Sequence, residues 1–260
     1  MLKTINFQVK NFQASVEEIK VAWNNDNNKV FVLKTDSVPD NIQEFYESVF
    51  KYLGTPIPIA EDVNLGSRES QRSGKIWFEV RYDPKHPDAY RHSSNAQPLH
   101  TDGSYIPDFP SSTLLACVAN AGEGGETTFI DSKSVFKIMQ EEQPELLNFF
   151  LSNKIKHSRS GDTRMDEVIR VEENDIFVNY NYYCVDKDIN FQAKENVEIF
   201  QHFLLTSEKI KVATIGVKLT PGDSVFWRDN YCLHGRNSFV ANQESERFIW
   251  KCAIDILKFS

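Results

Sequence analysis

The chain of 260 residues lacks several features that would place it in a special class of protein. No apolar run approaches the roughly 18 residues that suggest a membrane-spanning helix. The N-terminal stretch MLKTINFQVKNF has no long apolar core, so no signal peptide is predicted. No block of lysine and arginine is present, and the net charge is -8. This charge argues against nucleic acid and anionic membranes as partners.

Cysteine is scarce, and the four that are present show no C-x-x-C spacing. A chain of this length can bury a core without disulfides, so we expect reduced thiols and a cytoplasmic location. The sequence also contains no internal repeat and no Pro/Gly/Ser linker. We therefore expect residues 1–260 to form a single domain. The sequence does not indicate an oligomeric state.

Hydrophobic patterning predicts many short strands with helices set apart from them. The segments KVFVLKT, GKIWFEVRY and DIFVNYNYYCV are typical of strands. A helix is predicted to start at Pro39 and Asp40 and to stop at Gly54, and another to start near Pro144. Short strands joined by Gly/Pro turns, with separate helices, predict a mainly β fold with flanking helices: a β-sandwich or jelly roll.

The segment PLHTDGSY carries the first chemical signal, because His100 and Asp102 are two residues apart. Side chains at positions i and i+2 of an extended strand share one face and can bind one metal ion from one side. The best candidate for a third ligand is His234, in DNYCLHGRNSF. Two histidines and one carboxylate form the facial triad of non-haem Fe(II) oxygenases, which leaves coordination positions open for co-substrates. A turn stabilised by local hydrogen bonds is the structural alternative for His100 and Asp102.

A site of this kind usually needs a 2-oxo acid, whose far carboxylate requires a fixed cation. Arg247 follows His234 by 13 residues, and its planar guanidinium suits a carboxylate. We expect a short hairpin to place Arg247 on the strand beside His234. A hydroxyl from Thr127 or Thr128, next to the glycines of GGETTFID, could complete the carboxylate site.

The motifs HTDG, GGETTFID and LTPGDSVFWRDNYCLHGRNSF, with the arginine that follows them, resemble the taurine dioxygenase and clavaminate synthase-like family. The C-terminal motif is also similar to that of γ-butyrobetaine hydroxylase. The resemblance covers about Leu99 to Lys251. It implies a double-stranded β-helix and an Fe(II)/2-oxoglutarate-dependent oxygenase that uses O2.

The resemblance also assigns roles to individual residues. His100, Asp102 and His234 would be the iron ligands. Thr127, rather than Thr128, takes the position of the threonine that contacts 2-oxoglutarate, and Arg247 that of the arginine that pairs with its carboxylate.

Candidates for substrate contact are less well defined. Tyr105 lies just past the metal triplet, Asn179 and Asn181 would share one strand face, and Arg236 flanks His234. We expect a small-molecule substrate, a free amino acid or similar zwitterion, held partly by an arginine. The polar segment HSRSGDTRMDEV, residues 157–168, is predicted to be a mobile loop that covers the site.

Two other kinds of function remain open from the sequence. A hydrolase or isomerase could use the same three ligands with zinc or manganese, and would not need Arg247 aligned with a co-substrate. A non-catalytic jelly-roll binding protein would have no use for a complete triad.

Overall fold

The computed structural model describes residues 1–58, 75–107, 110–159 and 161–259. Helices flank a β-sheet core in these ranges. The α-helices are α1 (Phe12–Trp23), α2 (Ile42–Leu53), α3 (Ser132–Glu142), α4 (Pro144–Ser152), α5 (Phe191–Thr206) and α6 (Glu208–Ala213). The strands are β1 (Leu2–Phe7), β2 (Val30–Thr35), β3 (Gly54–Ile57), β4 (Phe78–Arg81), β5 (Gln97–His100), β6 (Ser112–Ala119), β7 (Thr127–Asp131), β8 (Lys154–Arg159), β9 (Asp162–Glu167), β10 (Ile169–Glu172), β11 (Asp175–Val178), β12 (Ile215–Val217), β13 (Ser224–Arg228), β14 (Cys232–Arg236) and β15 (Phe248–Ile256).

Two sheets form the central sandwich. A seven-stranded sheet has the order β1-β2-β13-β6-β15-β3, with β4 also paired to β15, and a four-stranded sheet has the order β12-β7-β14-β5. The pairs β8–β9 and β10–β11 form two separate antiparallel ribbons. From β5 onward the chain crosses repeatedly between the two main sheets, and the fold is a mainly β jelly roll with flanking helices, as predicted.

Strand alternation separates an inner face from an outer face in both sheets. Trp227 of β13 and Phe129 of β7 meet between the sheets, with ring centroids 5.3 Å apart. Their neighbours Phe226 and Ile130 point outward. Phe226 packs beneath α1 and α2, and Ile130 packs beneath α3, α4 and α5. The inner face is therefore where side chains of both sheets can meet.

The helix boundaries follow from local chemistry. Helix α2 begins at Ile42, two residues later than the predicted start, because the side chain of Asn41 accepts a hydrogen bond from the backbone N–H of Glu44. It ends at Leu53, just before Gly54, as predicted. The predicted break at Pro144 is also confirmed, since α4 begins there.

Three local expectations were wrong. The run NYNYYCV is not a strand: β11 ends at Val178, and a 3₁₀ turn follows at Tyr182–Cys184. Residues 157–168 are not a loop but belong largely to the β8–β9 hairpin, with Gly161 at its turn. Movement of this hairpin over the site stays a prediction. Strands β14 and β15 do not form a hairpin, because they belong to different sheets.

The four cysteines are buried and not bridged. None of the helices in the described ranges combines the length and apolar character needed to cross a bilayer.

Candidate metal centre

The centre lies where β5 and β14 run side by side in the four-stranded sheet. His100 is the last residue of β5, and it pairs directly with His234 of β14. Directly opposed residues of an antiparallel pair place their side chains on the same face. That face is the inner one, because the imidazole of His234 lies 4.6 Å from the ring of Trp227, measured between centroids. The sheet register thus joins two histidines that are far apart in the sequence.

Asp102 lies in the turn after β5, so the prediction that both ligands share one strand was wrong. The backbone N–H of Thr101 donates to the carbonyl of Tyr180 at 2.7 Å. The backbone N–H of Asp102 donates to Oδ1 of Asp229 at 3.3 Å. These two bonds fix the turn, which brings the carboxylate of Asp102 beside the imidazoles.

The three side chains converge in the structure. Oδ1 of Asp102 is 3.9 Å from Nε2 of His100, and Oδ2 is 3.7 Å from Nε2 of His234. One ligand atom from each residue lies within 4.8 Å of the other two. Nδ1 of His100 lies 2.8 Å from the carbonyl of Pro98, so Nδ1 carries the proton and Nε2 keeps its lone pair. Both histidines therefore present Nε2 to the shared space.

The electrostatics favour the metal-binding protonation states. Burial lowers the pKa of His100, and burial together with the neighbouring His100 lowers that of His234 well below its usual range. Burial alone would raise the pKa of Asp102, but Lys251 and the two imidazoles lower it below its usual range. Neutral imidazoles and an ionised carboxylate are the forms that bind metal.

Two residues of this neighbourhood were missed by the sequence reasoning. Nζ of Lys251 lies 2.6 Å from Oδ2 of Asp102. The amide nitrogen of Gln97 lies 3.1 Å from Nε2 of His100. A bulge explains Gln97, since two residues of β5 face one of β14 there and the alternation of faces is shifted. The sequence did offer a signal for Lys251. It follows Arg247 by four residues, and in an extended chain residues four apart point to the same face.

Arg247 immediately precedes β15 and lies in the interior between the sheets. Only 3% of the surface of Arg247 is exposed to solvent. Its Nε has no hydrogen-bond partner, and no carboxylate pairs with it, within the part of the chain that the structure describes. Phe239 packs against the guanidinium at 5.5 Å from its ring centroid. Burial lowers the pKa of Arg247 to about 10. The expected place beside His234 on a hairpin was wrong, because Arg247 approaches from the opposite sheet.

The register of β7 distinguishes the two threonines. Thr127 pairs with Arg236, and Phe129 pairs with His234, so Thr127 lies on the inner face and Thr128 on the outer face. Gly125 lies against Arg247, since a Cβ added to it would stand 3.3 Å from the guanidinium Nε. The start of β7 and Arg247 therefore adjoin one another.

Arg236 is buried and its two terminal nitrogens already donate hydrogen bonds, while its Nε has no partner among the described residues. Its guanidinium donates to the backbone carbonyls of Tyr90, Ser93 and Asn95 at 3.0, 2.9 and 2.5 Å. These contacts tie the segment before β5 to β14. They give Arg236 a structural role, and its contact with a substrate stays a prediction.

The remaining candidates are distributed unevenly. Tyr105 is buried in the turn that follows Asp102. Asn179 is buried and donates to the carbonyl of Ser104 at 3.3 Å. Asn181 does not share a strand face with Asn179, because it caps the 3₁₀ turn by accepting from the backbone N–H of Tyr183. Asn179 and Tyr105 therefore adjoin the Asp102 turn, and Asn181 does not belong to that cluster of contacts.

The donor set suits a particular metal and co-substrate. Two imidazole nitrogens and one carboxylate match the ligands of non-haem Fe(II), which keeps further coordination positions open. The buried guanidinium of Arg247 matches a carboxylate of 2-oxoglutarate, because an uncompensated buried charge is costly. The residues present therefore fit both groups.

The structure thus combines a jelly roll with two histidines and one carboxylate between its sheets. This combination is typical of non-haem metal proteins with the double-stranded β-helix fold. Residues 30–253 match the family described as taurine catabolism dioxygenase TauD, TfdA. The chain belongs to this family, as the sequence motifs indicated.

Individual relatives are distant. The chain is 23% identical over 164 residues to γ-butyrobetaine dioxygenase of Homo sapiens, a match that covers 58% of this chain and 42% of that protein. It is 24% identical over 168 residues to uridine-5'-phosphate dioxygenase of Streptomyces sp, covering 61% of each. The chain therefore spans about half the length of these relatives.

Solved structures share the fold. An asparagine oxygenase in complex with Fe(II), 2S,3S-3-hydroxyasparagine and succinate superposes with a TM-score of 0.66 at 13% identity, covering 93% of this chain and 79% of that one. The non-heme iron oxygenase OrfP in complex with Fe and α-ketoglutaric acid gives 0.65 at 15% identity, covering 95% and 80%.

Proposed function

We propose that this chain is an Fe(II)- and 2-oxoglutarate-dependent dioxygenase that hydroxylates or desaturates a small polar metabolite, a free amino acid or a related carboxylate. The observation that carries the proposal is the convergence of His100, Asp102 and His234 between the same sheets that bury Arg247. Membership of the TauD, TfdA family supports it.

The protein's own residues would bind and orient the reactants. The two Nε2 atoms and the carboxylate of Asp102 would hold the metal. Arg247 would pair with the distal carboxylate of 2-oxoglutarate, and the hydroxyl of Thr127 would donate to it from the facing sheet. Bound Fe(II) and 2-oxoglutarate would supply the activation of O2, with succinate and CO2 as co-products. Trp227, which packs against His234, contributes to an apolar wall that excludes water.

Lys251 supports an anionic group on the substrate. Its side chain is 27% exposed and reaches Asp102 from the seven-stranded sheet. An ammonium group at the metal ligands offers a counter-charge to the carboxylate of an amino acid. This is consistent with neighbours crystallised with hydroxyasparagine or hydroxyarginine.

The test is a screen of amino acids and other small carboxylates for substrate-stimulated succinate formation from 2-oxoglutarate, with mass spectrometry of the products. We expect one class of carboxylate to stimulate succinate and to gain one oxygen or lose two hydrogens. Lys251→Met should raise KM for that substrate at least tenfold, whereas Lys211→Met, at an exposed ion pair on α6, should not. Asp102→Ala should abolish both the stimulation and the product.

The same assay separates the alternatives. A zinc or manganese hydrolase or isomerase would change the substrate without forming succinate, and a binding protein would change nothing. Either result would overturn the proposal. Neither alternative uses Arg247.

Two further expectations stay predictions: the single-domain organisation over residues 1–260 and a cytoplasmic location. The buried, unbridged cysteines support the second.

A further inference from the structure

A buried carboxylate behind the candidate metal centre is neither one of the three candidate ligands nor a contact for 2-oxoglutarate. Asp229 belongs to the 3₁₀ turn Asp229–Tyr231, which connects β13 of the seven-stranded sheet to β14 of the four-stranded sheet. Asp229 is fully buried, with 0% of its surface exposed to solvent. Because burying an ionised carboxylate is costly, its contacts need an explanation.

The two oxygens of Asp229 contact different groups. Oδ2 accepts a hydrogen bond of 2.6 Å from the hydroxyl of Thr113 on β6. Oδ1 accepts from the backbone N–H of Asp102 at 3.3 Å, and the same oxygen lies 3.9 Å from Nδ1 of His234. One carboxylate oxygen therefore stands beside two of the three candidate metal ligands.

The ring of His234 is incompletely satisfied without this neighbour. Its Nε2 faces Asp102 and would be the metal-binding atom. Its Nδ1 is buried and has no hydrogen-bond partner among the residues that the structure describes. His100 differs, because its Nδ1 has the carbonyl of Pro98 at 2.8 Å. Metal-bound histidines almost always donate their second ring N–H to a carboxylate or carbonyl, which fixes the tautomer and increases the basicity of the ligand.

We propose that Asp229 is the positioning residue of the metal centre: on metal binding, Oδ1 closes the 3.9 Å gap to Nδ1 of His234 and accepts its proton in a hydrogen bond, while it keeps the backbone N–H of Asp102 and Thr113 fixes Oδ2. Asp229 does not contact the metal. It selects the tautomer of His234 that leaves Nε2 unprotonated, and it holds the Asp102 turn in register with β14. This inference rests on the metal site of the proposed function.

The test measures metal affinity with Mn(II), an oxygen-stable ion of the same charge as Fe(II), by the electron paramagnetic resonance signal of the free ion. We expect Asp229→Asn to weaken Mn(II) binding by about ten- to a hundredfold, the range found when such orienting partners are lost. The matched control is Asp131→Ala on β7. Asp131 is a partly buried carboxylate of the same sheet that caps α3, so its loss should lower the melting temperature and leave Mn(II) affinity within twofold of wild type.

Thr113 supplies a second, milder perturbation. Thr113→Val removes the donor to Oδ2 and should weaken Mn(II) binding several-fold, whereas Thr113→Ser keeps the hydroxyl and should restore wild-type affinity. A purely structural role for Asp229 would lower stability without changing the affinity of the folded protein. If Asp229→Asn does not fold, as judged by circular dichroism, the Thr113 pair decides.

The outcomes separate this inference from the proposed function. If the wild-type protein binds no Mn(II), the metal site itself is wrong. If the wild type binds Mn(II) and Asp229→Asn binds it equally well, only the role of Asp229 is overturned. Equal weakening by Asp131→Ala would also overturn it, since the effect would then reflect general destabilisation.

Discussion

Replacing Arg247 with methionine should have two opposite effects, because the guanidinium is buried without a carboxylate partner in the described ranges. Burial lowers its pKa to about 10. The difference from the ordinary value of about 12.5 corresponds to about 3 kcal/mol against the charged form. Arg247→Met keeps an apolar side chain against Phe239 and removes the buried charge. The apoprotein should therefore unfold at the same free energy or at one higher by up to about 3 kcal/mol.

The same substitution should weaken 2-oxoglutarate binding. A charge-assisted hydrogen bond contributes about 1.5–3 kcal/mol, which corresponds to a loss of roughly ten- to over a hundredfold in affinity. Arg247→Lys should lose part of this, because an ammonium lacks the planar pair of donors. Metal binding should survive both changes. The assay is a titration of 2-oxoglutarate into anaerobic Fe(II) protein, followed by the visible charge-transfer band of the chelate, with urea unfolding of the apoprotein beside it.

Arg236 is the matched control, as a second buried arginine beside Phe239. Its guanidinium donates to three backbone carbonyls, and each buried acceptor left without a donor costs about 1–3 kcal/mol. Arg236→Met should therefore destabilise the apoprotein, in contrast to Arg247→Met. Wild-type affinity of Arg247→Met for 2-oxoglutarate would refute the assignment. Equal destabilisation by both variants would show that Arg247 has a structural partner.

Two further predictions concern single positions. Thr127→Val should weaken 2-oxoglutarate binding by roughly tenfold or more through loss of a hydrogen bond to a charged carboxylate, while Thr128→Val on the outer face should not; equal effects in the same titration would contradict the register argument. Burial lowers the pKa of His157 to about 4, whereas a histidine in an unfolded chain has a pKa of about 6.5. The contribution of the buried neutral ring to the free energy of unfolding is therefore fully present above about pH 6.5. It is lost as the pH falls toward 4, and it amounts to about 3 kcal/mol. Urea unfolding of wild type and His157→Gln between pH 7 and 4 should give different slopes, and parallel curves would rule the histidine out.

The metal triad could be predicted from the sequence because its residues are defined by chemistry and by short-range spacing. His100 and Asp102 lie in one short segment, and His234 follows a strand-like run. What the sequence did not reveal was the turn held by Asp229, since a contact between residues 102 and 229 leaves no local pattern. The three side chains therefore converge as predicted, with a different backbone geometry at Asp102, and their role as iron ligands stays a prediction.

Arg247 shows why strand pairing is harder to predict than strand position. The 11 residues from Asn237 to Arg247 are polar enough for a hairpin connection. In the structure they instead cross from the four-stranded sheet to the seven-stranded one, where β15 pairs with β6. Ile249 and Cys252 are buried on opposite faces of β15, and such tertiary packing is not encoded in the connection itself.

Polar strands were missed for a related reason. In β8 only Ile155 and His157 are buried, while Lys154 is exposed and Lys156 is partly exposed. The partner strand DTRMDE has mostly charged side chains, so the hairpin resembles a loop in composition. Its order comes from cross-strand pairing and from the packing of one face.

The site residues come from two different sheets, and this affects the stability of the protein when no ligand is bound. The histidines lie on the four-stranded sheet, and Arg247 and Lys251 approach from the seven-stranded sheet. Asp229 contacts both, since Thr113 belongs to one sheet and His234 to the other. Without ligands, the packing of the sheets brings a buried cation and a buried carboxylate into the interior, which opposes folding. A metal ion and a dicarboxylate would compensate these charges in place. The same contacts that reduce the stability of the empty protein therefore favour ligand binding, as expected where function and stability compete for the same residues.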